Sequence, residues 1–270
     1  MDQEMQFLWA GLVSYVLAGS LAIIGVVLGK RPERSILGFL VLGIVLHGAS
    51  LGLRWAHLGH GPFTTMFEIL SSNVFSLLLV FSIAYWRIKP IRPVAAVVMP
   101  IMFMMMGWLM VTNPAPGHLH ATYHTVWLYI HVALGKVFLG SVLVAVGMAG
   151  VVLLRARGLG TARLAQLPAD DRLDDLAYRF MALGLIFESL MLVAGAIWAQ
   201  DAWGRYWAWD PLETWAFITW LTLAFAMHMR FTLKATPHRG AVMILVVFVL
   251  AFSTFFGMPF ISSAPHKGAV

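Results

Sequence analysis

Apolar residues in this chain come in long blocks rather than in alternation, and eight such blocks stand out, at about 7–28, 36–56, 65–85, 94–111, 126–154, 180–199, 213–229 and 241–260. About 20 consecutive apolar residues are what an α-helix needs to cross ~30 Å of hydrocarbon. The period-2 alternation of a membrane β-barrel is absent, so the spanning elements satisfy their backbone groups internally, as helices. The pattern predicts an all-α membrane protein, a bundle of about eight transmembrane helices forming a single polytopic domain over residues 1–270. Asp2 and Glu4 precede the first block where a signal peptide would carry Lys or Arg, so this block reads as a helix that stays.

The polar segments between blocks sort by charge. Alternate connections hold fourteen of the 18 Lys and Arg residues, and the longest, 155–179, mixes Arg157 and Arg163 with Asp170, Asp171, Asp174 and Asp175. By the positive-inside rule these connections are cytoplasmic, which puts both termini on the outer (periplasmic) side. Three stretches rich in histidine or tryptophan then share the outer face: 113–125, 200–212 and 261–270. Composition narrows the picture further. With 60% hydrophobic and only 11% charged residues, against about 25% charged in soluble domains, a water-soluble fold is excluded. The formal charge of +6 is accounted for by the orienting loops and gives no reason to expect nucleic acid. The absence of cysteine excludes disulfides, thiolate metal sites and a cysteine nucleophile, so any sulfur chemistry belongs to a partner.

The densest chemistry lies in the external segment 200–220, which contains Trp203, Gly204, Arg205, Tyr206, Trp207, Trp209, Asp210, Pro211, Glu213 and Trp215. Two readings fit it. Aromatic belts are common at membrane surfaces; equally, a compact aromatic platform suits a flat, apolar, dianionic macrocycle, with Arg205 placed for a propionate. Asp210 is suited to cap a helix beginning at Pro211, and Glu213 to complement its first turn. Within the spans, His131 and His47 read either as polar residues bonded inside the bundle or as ligands. Lys136 and Glu188 fall at similar depth and are expected to form a buried ion pair. His118, His120 and His124 are close in one outer loop, but no carboxylate accompanies them.

The segment resembles the tryptophan-rich WWD signature of haem-handling proteins in cytochrome c maturation, specifically the CcsA (ResC) family of the Ccs, or system II, pathway. The likeness is carried by Gly195-Ala196-Ile197-Trp198-Ala199, by the run from Trp203 to Pro211, and by Glu213-Thr214-Trp215-Ala216-Phe217-Ile218-Thr219-Trp220, with Leu173 to Arg179 as a lead-in. Upstream, Gly59-His60-Gly61-Pro62-Phe63 and Phe67-Glu68-Ile69-Leu70 are similar to further family elements. Leu212 departs from the family, which usually has Lys there.

The resemblance implies haem b as bound substrate, with His131 and His266 as axial ligands to its iron. It matches His228 to a membrane-embedded haem ligand, with His47 as the candidate for its partner. It implies a haem-binding and delivery subunit of a cytochrome c synthase in the bacterial cytoplasmic (inner) membrane. There the subunit would work with a ResB/Ccs1-like membrane protein and an apocytochrome c bearing a Cys-x-x-Cys-His motif. The alternatives are a CcmC-like haem transporter without ligation activity and a HemX-like regulatory membrane protein.

Overall fold

The computed structural model describes residues 2–30, 32–159, 164 and 167–258. Among the described residues, eight long helices make up the bundle: α1 (Asp2–Leu28), α2 (Glu33–Leu58), α3 (Met66–Arg87), α4 (Ala95–Met110), α5 (Val126–Ala156), α6 (Asp170–Trp203), α7 (Pro211–Phe231) and α8 (Pro237–Phe252). A π-helical turn, Ser253–Gly257, continues α8.

The boundaries follow local chemistry. Thr65 and Glu68 form a reciprocal capping box at the start of α3. Asp210 and Thr236 cap α7 and α8, each with Pro in the first turn, where a missing N–H costs nothing. Gly59 and Gly204 end α2 and α6 in the left-handed region, at φ 73° and 74°, a conformation glycine adopts without strain.

Among the described residues, seven helices are long and apolar enough to cross a membrane, and α7 is not among them. Its polar positions, Glu213, Thr214, Thr219, Thr222, His228 and Arg230, lower its hydropathy below that of its neighbours. The helices also reach into the segment expected as a cytoplasmic connector: α5 runs to Ala156 and α6 starts at Asp170. At 31 and 34 residues, these two are ~46 and ~51 Å long and outrun the hydrocarbon layer.

Helix α5 is the axis of the fold. It packs along α6 and also touches α3, α4 and α8, while α1 pairs with α2, and α7 with α8. Its inner half approaches neighbours closely because small residues face them. A Cβ on Gly140 would lie 2.7 Å from Val80, and one on Gly147 2.5 Å from Val94 and Val98. Without a hydrophobic drive between helices in lipid, such close backbone packing is the main source of association.

The two ends of the bundle differ. One carries Arg–carboxylate pairs, with Arg92 bound to Glu33 at 2.6 Å, Arg155 to Asp170 at 2.7 Å, and Arg230 to both Asp174 and Asp175. The other is knotted at Arg54. Its guanidinium donates to Glu4 at 2.8 Å, to Glu68 at 3.0 Å and to the carbonyls of Pro114 and Ala115 at 3.0 and 3.1 Å. The Glu68 carboxylate in turn accepts from Thr64 and from the Gly117 amide. All three charged side chains are buried, as an ion cluster must be hydrogen-bonded to be tolerated there.

Candidate functional site

At the Arg54 end, a cavity of ≈ 230 Å³ opens between α3, α5, α6, the start of α7 and the π-turn after α8. Its wall is mainly apolar and aromatic, with a few polar groups: Ser72 and Asn73 from α3, His131 and Lys136 from α5, Tyr206, Trp207 and Glu213 from the tryptophan segment, and Thr254 from the π-turn. Such a combination of apolar wall and sparse polar atoms is typical of small-molecule sites. The cavity brings His131 and the tryptophan segment, about 75 residues apart in sequence, to one place.

His131 is held in a defined orientation. Its Nδ1 lies 2.9 Å from the Met191 carbonyl oxygen, which can only accept, so Nδ1 carries a proton and donates it to that carbonyl. This is the arrangement by which a second-shell carbonyl prepares an imidazole for a metal. Gly195 makes it possible: a Cβ there would sit 2.7 Å from Nδ1. Trp198 stacks against the ring, with centroids 6.3 Å apart and planes 19° from parallel.

The tryptophan segment divides into parts with different jobs. Trp203 closes α6 inside an aromatic cluster with Trp198 and Tyr123, donating from Nε1 to the Tyr123 hydroxyl at 3.3 Å. Gly204 turns the chain. Arg205, Tyr206 and Trp209 are exposed, and Trp209 holds φ 57°, a conformation that is strained for a bulky residue. Trp207 faces the cavity, its buried Nε1 without a hydrogen-bond partner. Asp210 caps α7 by accepting from the Glu213 amide at 3.0 Å, while the Glu213 carboxylate reaches back to the Ala208 amide at 2.7 Å. Pro211 and Trp215 belong to the first turns of α7. The expected capping roles of Asp210 and Glu213 therefore form, and Glu213 also lines the cavity.

Other expected groupings do not form. Lys136 and Glu188 make no ion pair. Lys136 Nζ donates to Ser72 Oγ on α3 at 2.8 Å, and both Glu188 oxygens are buried without a hydrogen-bond partner. Equal depth placed them on one level, but Lys136 is turned toward α3. Nor are His47 and His228 brought together. His47 is enclosed by Tyr15 and Phe75 and bonded to Ser71 Oγ at 2.9 Å, an interhelical hydrogen bond between α2 and α3. His228 is exposed near the end of α7.

Arg205 is not part of the cavity wall, whereas Leu212 is. His60 is buried beside His124, their rings 6.3 Å apart, and among the described residues no three His, Asp or Glu side chains are arranged to hold a metal ion. His266 lies outside the described residues.

Two groups at this end are not singled out by the sequence pattern, Arg54 and Ser72, and Gly195 stands in it only as part of the stretch Gly195 to Ala199, with no role assigned. Glu68 does leave a trace, since Thr65-x-x-Glu68 is a capping-box sequence.

Comparison with known proteins adds to this geometry. Residues 63–266 match the family model described as cytochrome C assembly protein. The cytochrome c biogenesis protein CcsA of Guillardia theta is 29% identical over 257 residues, covering 85% of this chain and 84% of that protein. The CcsA of Gloeobacter violaceus is 37% identical over 132 residues, covering 47% of this chain and 39% of its own length. Among solved structures, the cytochrome c heme lyase CcmF superposes with a TM-score of 0.75 over 98% of this chain at 18% identity, a likeness of fold. This chain spans about half the length of that protein, 47%.

Proposed function

The chain belongs to the cytochrome c assembly protein family, a multi-pass membrane family of cytochrome c maturation, and from that premise we propose that it binds haem b in the cavity beneath the tryptophan segment and presents it for thioether attachment to apocytochrome c. The observation that carries this reading is the His131 arrangement. An imidazole oriented by a backbone carbonyl, set in an apolar cavity and beside aromatic rings, fits ligation of haem iron. His266, which the family resemblance matches to a second ligand, follows the last described residue, Met258, by eight positions in the sequence.

In this reading the chain binds, orients and shields. His131 holds the iron, Trp207 and the Tyr206 and Trp209 rings border the macrocycle, and the aromatic cluster of Tyr123, Trp198 and Trp203 keeps water from its face. Haem supplies the vinyl groups and the apocytochrome its Cys-x-x-Cys-His thiols, in keeping with a chain that has no cysteine. The basic end of the bundle faces the cytoplasm by the positive-inside rule, so the haem site faces the periplasm of a bacterial cytoplasmic membrane. A ResB/Ccs1-like protein is the proposed partner.

Two measurements test this. Full-length protein purified in detergent is expected to show a bis-histidine haem spectrum that is lost in His131→Ala and in His266→Ala. A chain without haem, or a spectrum indifferent to both changes, leaves a HemX-like regulatory role. Co-expression with a ResB/Ccs1-like protein and an apocytochrome reporter is expected to yield holocytochrome; haem export without attachment points instead to a CcmC-like transporter.

A further inference from the structure

The inner end of the cavity carries a cation that the ligation of iron does not use. Lys136 lies on the cavity wall within a membrane-spanning helix, and no Asp or Glu among the described residues is within ion-pair distance of it. Its hydrogen-bond partner, Ser72 Oγ at 2.8 Å, is neutral. An ammonium kept at this depth without an anion is costly, and charged groups at such positions generally meet a substrate or a counter-ion. Glu188, the carboxylate of similar depth, does not reach it. The ammonium has three donors, of which Ser72 takes one.

We infer that Lys136 is the seat of a haem propionate, so that the macrocycle stands with its carboxylate edge toward the middle of the bundle and its vinyl edge toward the rim at the exposed Tyr206. This rests on haem being the ligand of the cavity. His131 and Lys136 both line the cavity from α5, five residues and so ~7.5 Å of rise apart. The direction is the functionally useful one. Vinyl groups pointing outward are accessible to thiols that arrive from water, and the charged edge is held inward by a paired charge. Arg205, the other cation near the tryptophan segment, is exposed and outside the wall; a propionate on Arg205 would turn the macrocycle the opposite way.

The test compares haem with haem dimethyl ester, whose carboxylates are neutralised, by Soret-band titration of the purified full-length chain. Wild type is expected to bind the free acid about 10- to 100-fold more tightly than the ester, the range of a charged hydrogen bond. Lys136→Met is expected to bind both forms alike, at the ester's level. Lys136→Arg is expected to keep most of the preference, and Arg205→Ala all of it. Three results overturn the inference: no preference in wild type, an undiminished preference in Lys136→Met, or loss of preference in Arg205→Ala rather than in the Lys136 variants. Wild type binding haem without preference removes only this assignment, whereas wild type binding neither form removes the haem reading as well. If Lys136→Met does not fold, the absence of a preference in wild type, or its loss in Arg205→Ala, still overturns the inference.

Discussion

The tightest test of the site is a single methyl group on α6. In Gly195→Ala the new Cβ lies 2.7 Å from His131 Nδ1 and 2.9 Å from Cε1, against 3.4 Å for an ordinary contact. The ring must therefore retreat by ~0.7 Å, or tilt by an equivalent amount. The Met191 carbonyl that orients the ring lies one turn earlier on the same helix face. Retreat from Gly195 is thus retreat from that carbonyl too, and a 2.9 Å bond lengthened by that amount passes the ~3.2 Å limit of a good N–H···O interaction.

Losing the bond costs ~0.5–1.5 kcal/mol, while replacing a mid-helix glycine by alanine returns ~0.5–1 kcal/mol. Folding stability is consequently expected to stay within ~1 kcal/mol of wild type. Haem affinity is not compensated in the same way, because loss of a second-shell partner typically weakens metal binding about 10- to 100-fold. Gly184→Ala, on the same helix, is the control: its Cβ would meet nothing closer than Val142 at 3.5 Å. Thermal melting and haem titration in detergent should show two stable proteins of which only Gly195→Ala is impaired in binding. Equal affinities for Gly195→Ala and wild type, or equal impairment of both variants, would refute the argument.

Breaking the Arg54 knot is expected to be a stability effect: Arg54→Leu strands two buried carboxylates and should cost ~3–5 kcal/mol, read as a large drop in melting temperature, and an unchanged melting temperature would contradict it. Trp209→Gly relieves a left-handed backbone worth roughly 1 kcal/mol while deleting an exposed ring, so the protein should melt no earlier than wild type yet retain less haem on purification; full retention would remove Trp209 from the platform. A double-mutant cycle with Lys136→Leu and Glu188→Leu should give a coupling below ~0.5 kcal/mol, and a coupling well above ~1 kcal/mol would mean that the two do interact.

What the sequence made visible, and what it hid, divides along physical lines. Helices announce themselves through blocks of apolar residues and through caps, which are local. Asp210-Pro211 and Thr65-x-x-Glu68 are both readable because capping links residues three apart. Depth is also local, since it is a count along one helix. The direction a side chain takes around its helix is not, as it depends on which neighbours pack there. Lys136 and Glu188 therefore share a level yet not a contact, and the inner polar partner of Lys136 turns out to be Ser72, 64 residues away.

Arg54 is a plainer case. In sequence it is a stray cation outside the basic loops, but its buried partners lie 50 and 14 residues away in Glu4 and Glu68. Gly195 stands within a stretch that carries the family resemblance, but its contact is hidden for the same reason. Its role is to be absent as a side chain where α5 brings His131, and only the packing of α5 on α6 reveals that.

The Arg54 knot also bears on how the chain is made. Synthesis delivers the α1–α2 hairpin first, with Glu4 and Arg54 at the same end, then Glu68 at the head of α3, and only later the carbonyls of Pro114 and Ala115 and the amide of Gly117. One guanidinium thus collects contributions from three other segments that enter the membrane at different times, and it can collect them only if every segment has arrived at the same side. A hairpin inserted upside down would leave Arg54 at the end opposite Glu68, with nothing to close upon. The knot works as a check on orientation, independent of the charge bias in the loops and completed only when the loop between α4 and α5 has been laid down.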